Sequence, residues 1–182
     1  MNFKRRLIWE IEGLKFLLRN INGAKLLITF DSKFKDGYVY SGILSRDICK
    51  FNRIHKELRD SSGLNFWRYL LYFFFGKKFA ALVKDESGEV IAFQMFYFKA
   101  DEINRKILHE AFIGVRNEYR GNSLATKLRL FSKSQFQKSS ISKISSNIPK
   151  DNSPSLRSAL KSGFYVSEVE STHNAYYLFN DL

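Results

Sequence analysis

The stretch Ala111 to Ala125, AFIGVRNEYRGNSLA, has the residue types best arranged for chemistry. An apolar strand runs into a turn of small residues and from there into a basic amphipathic helix. The first amides of a helix have no partner inside it, and the helix dipole favours negative charge at that end. A turn without bulky side chains lets phosphate oxygens reach those amides. The pattern therefore predicts a phosphate cradle over Gly121, Asn122, Ser123, Leu124 and Ala125, and a ligand that carries phosphate.

Charge points the same way. The 182 residues carry a formal net charge of +12. Between Arg116 and Lys161 there are ten Lys or Arg against two acids, Glu118 and Asp151, so the excess concentrates around the cradle. An anionic partner is implied, without a choice among nucleic acid, cofactor, nucleotide-linked substrate and membrane surface. Cys49 is the one cysteine, which excludes an intramolecular disulfide, and His55, His109 and His173 have no zinc-like spacing with it. A metal-free protein of the reducing cytoplasm is expected. Leu70 to Phe75, LLYFFF, is far short of the roughly 20 residues that span a bilayer and reads as core.

The elements around the cradle follow from periodicity. Phe3, Leu7, Ile11, Leu14, Leu18 and Ile21 recur at helical spacing and predict an N-terminal amphipathic helix. Docking onto the domain or a partner subunit, and lying on an anionic membrane surface, are both open to it. Strands are predicted over Lys25–Phe30 and Tyr38–Leu44, across a polar turn. A helix capped by Ser45 carries Ile48, Phe51, Ile54, His55 and Leu58 on one side and ends near Ser61–Gly63. A second helix covers Phe66–Phe75. Phe79–Val83 and Val90–Phe98 form a hairpin, and Lys106–Val115 supplies the next long strand. A helix to about Lys138, a strand over Lys143–Ile148 and a further helix follow. In that helix Ser153 caps, Pro154 takes the first position, Leu156, Ala159 and Leu160 face inward and Gly163 stops it. Strands Phe164–Val169 and Ala175–Phe179 close the chain. The order is α/β around a mixed sheet. Residues 1–36 form an extension of helix plus strand, and residues 37–182 a single domain.

At this point the residues resemble the GNAT superfamily of acetyl-CoA-dependent N-acetyltransferases. The family signature, Arg/Gln-x-x-Gly-x-Gly/Ala, falls on Arg120 to Ala125, and a second motif, an Asn followed eleven residues later by Gly-Phe, falls on Asn152 and Gly163-Phe164. The likeness extends over Val90–Val169 and reaches back toward Tyr38. It implies a mixed, mostly antiparallel central sheet flanked by helices, with the N-terminal helix as an addition. It also implies acetyl-CoA as cosubstrate. The amides of Gly121 to Ala125 would hold its pyrophosphate beside Arg120, the backbone of Ile113 and Val115 would pair with its pantetheine arm, and Asn152 would hydrogen-bond that arm. Two positions depart from the pattern: Ser123 replaces the signature's middle glycine, and Ala159 stands where many members carry the tyrosine thought to protonate the leaving thiolate. Acyl-CoA binding without turnover stays open.

Acetyl transfer needs a neutral amine, and freeing a lysine-like amine of pKa about 10.4 at pH 7 costs roughly 4.6 kcal/mol. Family members often place a carboxylate where this chain has Ile107, which cannot accept a proton. The nearest substitutes are His109 and Glu110, on opposite sheet faces by strand alternation. His109 shares the face of Ile107 and is preferred as base, with an ordinary pKa near 6.5; a bulge between them would favour Glu110. Tyr119, Tyr165 and Tyr176 are the candidate acids. The expected function is acetylation of a primary amine on a small anionic acceptor such as a nucleotide-linked amino sugar. A protein or peptide acceptor is the alternative within the same chemistry, and a noncatalytic acyl-CoA- or nucleic-acid-binding module the alternative outside it. Nucleic acid is disfavoured because the aromatics sit in apolar runs rather than alternating with Lys and Arg. The partners expected are a small-molecule amine and, as an open possibility, a second copy in a homodimer.

Overall fold

The structure is a computed structural model that describes residues 3–59 and 63–182. Eight strands form one sheet in the order β1-β2-β3-β4-β5-β6-β8-β7. The strands are β1 (Lys33–Lys35), β2 (Tyr38–Gly42), β3 (Ala80–Lys84), β4 (Val90–Tyr97), β5 (Ile107–Val115), β6 (Lys143–Pro149), β7 (Tyr165–Ser167) and β8 (Ala175–Asp181). Every pairing is antiparallel except β5 with β6. The helices are α1 (Phe3–Gly23), α2 (Ile48–Leu58), α3 (Phe66–Phe79), α4 (Leu124–Phe136) and α5 (Ser153–Lys161).

Aromatic side chains fill both faces of the sheet. On one, Phe93 of β4 meets Phe51 of α2 edge-on with ring centroids 5.1 Å apart. On the other, Phe96 meets Phe136 of α4 at 4.9 Å. Successive side chains of β4 alternate between these two layers, as strand geometry requires. β4 is buried on both faces for nearly its whole length. The parallel β5–β6 pair needs a covered crossover, and α4 supplies it.

Several element expectations shift. Lys25–Phe30 is not a strand: Ala24–Leu26 is a 3-10 turn, and the extended run after it joins no ladder. Its amides are satisfied piecemeal instead, Ile28 N–H by Ser139 Oγ, Phe30 N–H by the Lys77 carbonyl and Asp31 N–H by Gln135 Oε1. The strand in this region is β1, an exposed edge hairpinned to β2 through Asp36 and Gly37, both at positive φ. Ser45 starts a 3-10 turn, and α2 begins at Ile48 with no side-chain cap. The expected end of that helix at residues 61–63 lies partly outside the described residues. α3 runs on to Phe79 across a kink at Phe75. The cap of α5 is Asn152 rather than Ser153, its side chain accepting from Ser155 N–H, and Leu160 faces solvent.

Candidate active site

The site is built where β5 and β6 part. Their ladder runs from Ile107–Lys143 to Glu110–Ser146 and stops, while β5 continues to Val115 and β6 to Pro149. A bulge contributes to the parting: Met95 pairs with Phe112 and Phe96 with Glu110, leaving Ala111 as the extra residue. Arg116 N–H bonds the Ile91 carbonyl of β4, so by strand alternation the amides of Gly114 and Phe112 also turn toward β4. Those of Ile113 and Val115 turn the other way, into the gap. Arg120 Nε reaches the Val115 carbonyl at 3.2 Å on that open side.

The turn that closes this gap leads into α4. Gly121 has φ +86, a conformation that glycine adopts without strain, and a side chain there would meet nothing within 4 Å. Ser123 is also left-handed, at φ 57, and its side chain makes no capping hydrogen bond. The first bond of the helix ladder is Lys127 N–H to the Ser123 carbonyl, so the amides of Leu124, Ala125 and Thr126 precede the ladder. Gly121, Asn122 and Ser123 are exposed, and among the described residues their amides find no acceptor. A row of outward N–H groups at a helix start, free of side-chain bulk, suits a diphosphate. Asn152 stands at the start of α5, with Oδ1 engaged on Ser155 N–H.

His109 and Glu110 sit at the fork itself and face different surroundings. Ala111 follows both, so His109 keeps the face of Ile107, and no bulge favours Glu110. Glu110 is buried against α4. Its carboxylate takes Arg129 Nη2 at 2.7 Å and Nε at 3.1 Å, the Ser146 hydroxyl at 3.1 Å and the Gln94 amide. Burial pushes its pKa up, but the Arg129 guanidinium and these hydrogen bonds outweigh that and hold it below the usual carboxylate value. Glu110, expected as the alternative proton acceptor, is committed to an internal ion pair with Arg129.

His109 belongs to a chain of polar groups on the opposite face. Its Nδ1 lies 2.8 Å from Ser145 Oγ, Ser145 donates to Glu102 Oε2 at 3.0 Å, and Tyr177 donates to Glu102 Oε1 at 2.6 Å. Ser145 has a single proton, and Glu102 takes it. The hydroxyl oxygen must then accept from Nδ1–H, which leaves Nε2 with its lone pair. Burial, and next the nearby Lys99 charge, lower the pKa of His109 to about 4, so the ring is neutral at pH 7. Tyr97 abuts the imidazole edge-on at 5.2 Å and Tyr177 stacks at 6.3 Å. Lys99 Nζ lies 4.6 Å above the Tyr177 ring and donates to its hydroxyl.

Glu102, Ser145, Tyr177 and Lys99 were not among the expected site residues. Their signal was weak: Glu102 lies in the β4–β5 connection, and the others enter by pairing across strands distant in sequence. The expected acids go elsewhere. Tyr119 donates to Asp85, Tyr165 lies against Lys143 and Asp181 at the sheet edge, and Tyr176 sits under Lys150. Ala159 is fully buried. Among the described residues no cluster of His, Cys, Asp or Glu could hold a metal ion, and no helix is long and apolar enough to cross a membrane.

Comparison with known proteins places this geometry. The family model described as the acetyltransferase (GNAT) family matches residues 49–164. No curated protein sequence matches the chain. Among solved structures, the GNAT domain of S. lividans PAT aligns with a TM-score of 0.66 at 13% identity, covering 80% of this chain and 90% of that one. The ribosomal-protein-S18-alanine N-acetyltransferase of Escherichia coli aligns with a TM-score of 0.61 at 12% identity, covering 79% and 93%. A GNAT-family acetyltransferase of Streptococcus pneumoniae aligns with a TM-score of 0.62 at 11% identity, covering 80% and 99%. At such identities the structural likeness speaks for the fold.

Proposed function

The chain belongs to the GNAT acetyltransferase family, and from that premise we propose that it moves an acetyl group from acetyl-CoA to the primary amine of a small anionic acceptor, such as a nucleotide-linked amino sugar. The observation that carries the acceptor class is the ring of positive and aromatic groups on the His109 face. Lys99 and Tyr177 flank the imidazole, and Tyr97 leads from it to Phe16, whose ring lies beneath Arg19 and Arg68. The carboxylate nearest the imidazole, Glu102, is buried and already bonded, which leaves Asp101 as the exposed acid of this surface. Such a surface attracts phosphate and stacks on bases or sugars, and it repels a basic peptide.

The residues that would hold acetyl-CoA fit it: the outward amides of Gly121 to Ala125 with Arg120 for the diphosphate, and the gap-facing backbone of Ile113 and Val115 for the pantetheine arm. Acetyl-CoA supplies the activated thioester. The chain's own part is proton handling. The positive field of Lys99, which depresses His109, also favours the neutral form of an incoming amine. Once the amine nitrogen commits its lone pair to carbon it becomes strongly acidic, and His109 Nε2 is then a sufficient acceptor despite its low pKa. Ser145 and Glu102 hold the ring in that tautomer, and the carboxylate, 4.0 Å from Nδ1, stabilises the imidazolium while it lasts.

Thiol release from acetyl-CoA, measured across nucleotide-linked amino sugars, neutral amino sugars, polyamines and basic peptides, tests this reading. Nucleotide-linked amines should give the highest kcat/KM. Preference for polyamines or basic peptides would overturn the acceptor class, and tight acetyl-CoA binding with no turnover on any amine would overturn the catalytic reading.

A further inference from the structure

Helix α1 projects past the domain that holds it. Trp67 of α3 packs on Gly13, where a Cβ would fall 2.0 Å from the indole, and Lys78 Nζ donates to the Ala24 carbonyl at 2.8 Å. α1 and α3 therefore run side by side in one direction, with Trp67 level with Gly13. α3 starts at Phe66, so the turns of α1 before Glu10 extend beyond it. Every residue from Lys4 to Trp9 is exposed, on all sides of the helix. Trp9, one turn before Gly13 on the same side, is 44% exposed, and Phe66 at this end of α3 is 60% exposed. From the projecting end an apolar face continues along the outer side through Ile11, Leu14, Leu18 and Ile21. The inner side is tied down: Asn20, fully buried, accepts from Phe98 N–H, and Arg19 donates to the Phe98 carbonyl.

We propose that this end of the molecule docks on a membrane, with the projecting turns of α1 seated among the headgroups of a bilayer that contains anionic lipid. Three observations select that occupant. The first is charge. Lys4, Arg5 and Arg6 are consecutive and exposed at the projecting end. The two acids of the helix do not offset them: Glu10 accepts from Trp67 Nε1 at 3.1 Å, which turns it toward α3, and Glu12 is held by Lys15 at 2.8 Å. α3 beside it has no acidic residue. An anionic membrane surface attracts such a cluster by about fivefold in affinity per cation. The second is breadth. Leu7, Ile8 and Trp9 are consecutive, so at 3.6 residues per turn they point to three sides of the helix. A flat protein partner covers one of those sides, whereas a fluid bilayer closes around all three. The third is the mixture of residue types. An exposed Trp beside Lys and Arg suits the boundary where an indole is half wet and long cationic side chains lay their stems on apolar surface while their heads stay in water. The centre of a protein–protein interface is, by contrast, depleted of charge. With seven charged residues along its length, α1 lies on a bilayer and does not span it.

The proposal is independent of the acetyl-transfer reading. Co-sedimentation of the full chain should show binding to vesicles of phosphatidylserine in phosphatidylcholine, weakening as salt rises, and none to phosphatidylcholine alone. Brominated acyl chains should quench the tryptophan emission, and Trp9→Phe should remove that quenching. Lys4→Gln, Arg5→Gln and Arg6→Gln together should weaken vesicle binding about a hundredfold. Ile8→Glu should weaken it about tenfold. Circular dichroism and acetyl-CoA affinity should stay unchanged in both variants. Because the whole chain is basic, Lys138→Gln, Lys150→Gln and Lys161→Gln together serve as the control: they remove the same charge from exposed positions elsewhere and should leave vesicle binding near wild type. A chain that ignores anionic vesicles, whether monomeric or dimeric, overturns the proposal. So does vesicle binding that both α1 variants retain, that the control loses equally, or that proceeds without quenching of Trp9.

Discussion

His109 and Glu110 are neighbours in β5, yet the two faces of the strand treat them in opposite ways. Glu110 enters a closed network: Arg129, Gln94 and Ser146 converge on its carboxylate, and Arg129 further donates to the Ser155 carbonyl and hydroxyl. Every partner is spoken for, so the network stiffens the joint between the fork, α4 and α5. His109 ends an open chain. The donors run from His109 through Ser145 to Glu102, and the last lone pair, on Nε2, has no protein partner among the described residues. Two buried titratable groups of similar depth thus differ in what they leave free, and what separates them is whether the hydrogen-bond chain closes on itself.

The sharpest way to break this comparison is to open the closed network. Glu110→Ala leaves Arg129 charged and unpaired in the core and should cost about 3–5 kcal/mol of stability in urea unfolding. A variant that stays as stable as wild type and loses only turnover would exchange the two roles. Second comes pH. His109 has a folded pKa of about 4 against 6.5, so between those values the unfolded chain binds a proton that the folded chain refuses. The stability it contributes is complete above pH 6.5 and is lost as the pH falls toward 4, by about 3 kcal/mol. His109→Gln should flatten that slope between pH 6.5 and 5, and an unchanged slope would place the depressed group elsewhere. Third, the same variant should lower kcat about a hundredfold with acetyl-CoA affinity unchanged; wild-type turnover should show no inflection near pH 6.5. The smallest effects sharpen the map. Glu102→Gln should lower kcat about tenfold, less than additively with His109→Gln, since both act on one ring. Gly121→Ala, forced into a left-handed conformation, should weaken acetyl-CoA binding about tenfold, or about 1–2 kcal/mol, by isothermal titration.

What could be read from the residues was local. The cradle from Arg120 to Ala125 is contiguous, and a helix start behind small residues exposes amides whatever surrounds it. The amphipathic α1, the hairpin of β3 and β4 and the strand–turn–helix order likewise follow from periodicity and turn residues within short windows. Lys25–Phe30 misled because a run of apolar residues specifies burial, and a buried extended segment need not join a ladder when side chains such as Ser139 and Gln135 satisfy its amides.

The sequence alone carried the resemblance to the family motifs, the basic charge around them and the helical spacing of apolar residues along α1, since each depends on neighbours in the chain. Only the tertiary structure decided that Glu110 is bound to Arg129, that Glu102 reaches His109 through Ser145, and that apolar residues of α1 such as Leu7, Ile8 and Leu18 face outward. Those outcomes turn on which groups long-range strand pairing brings within hydrogen-bond distance, and on which helix face the core claims first.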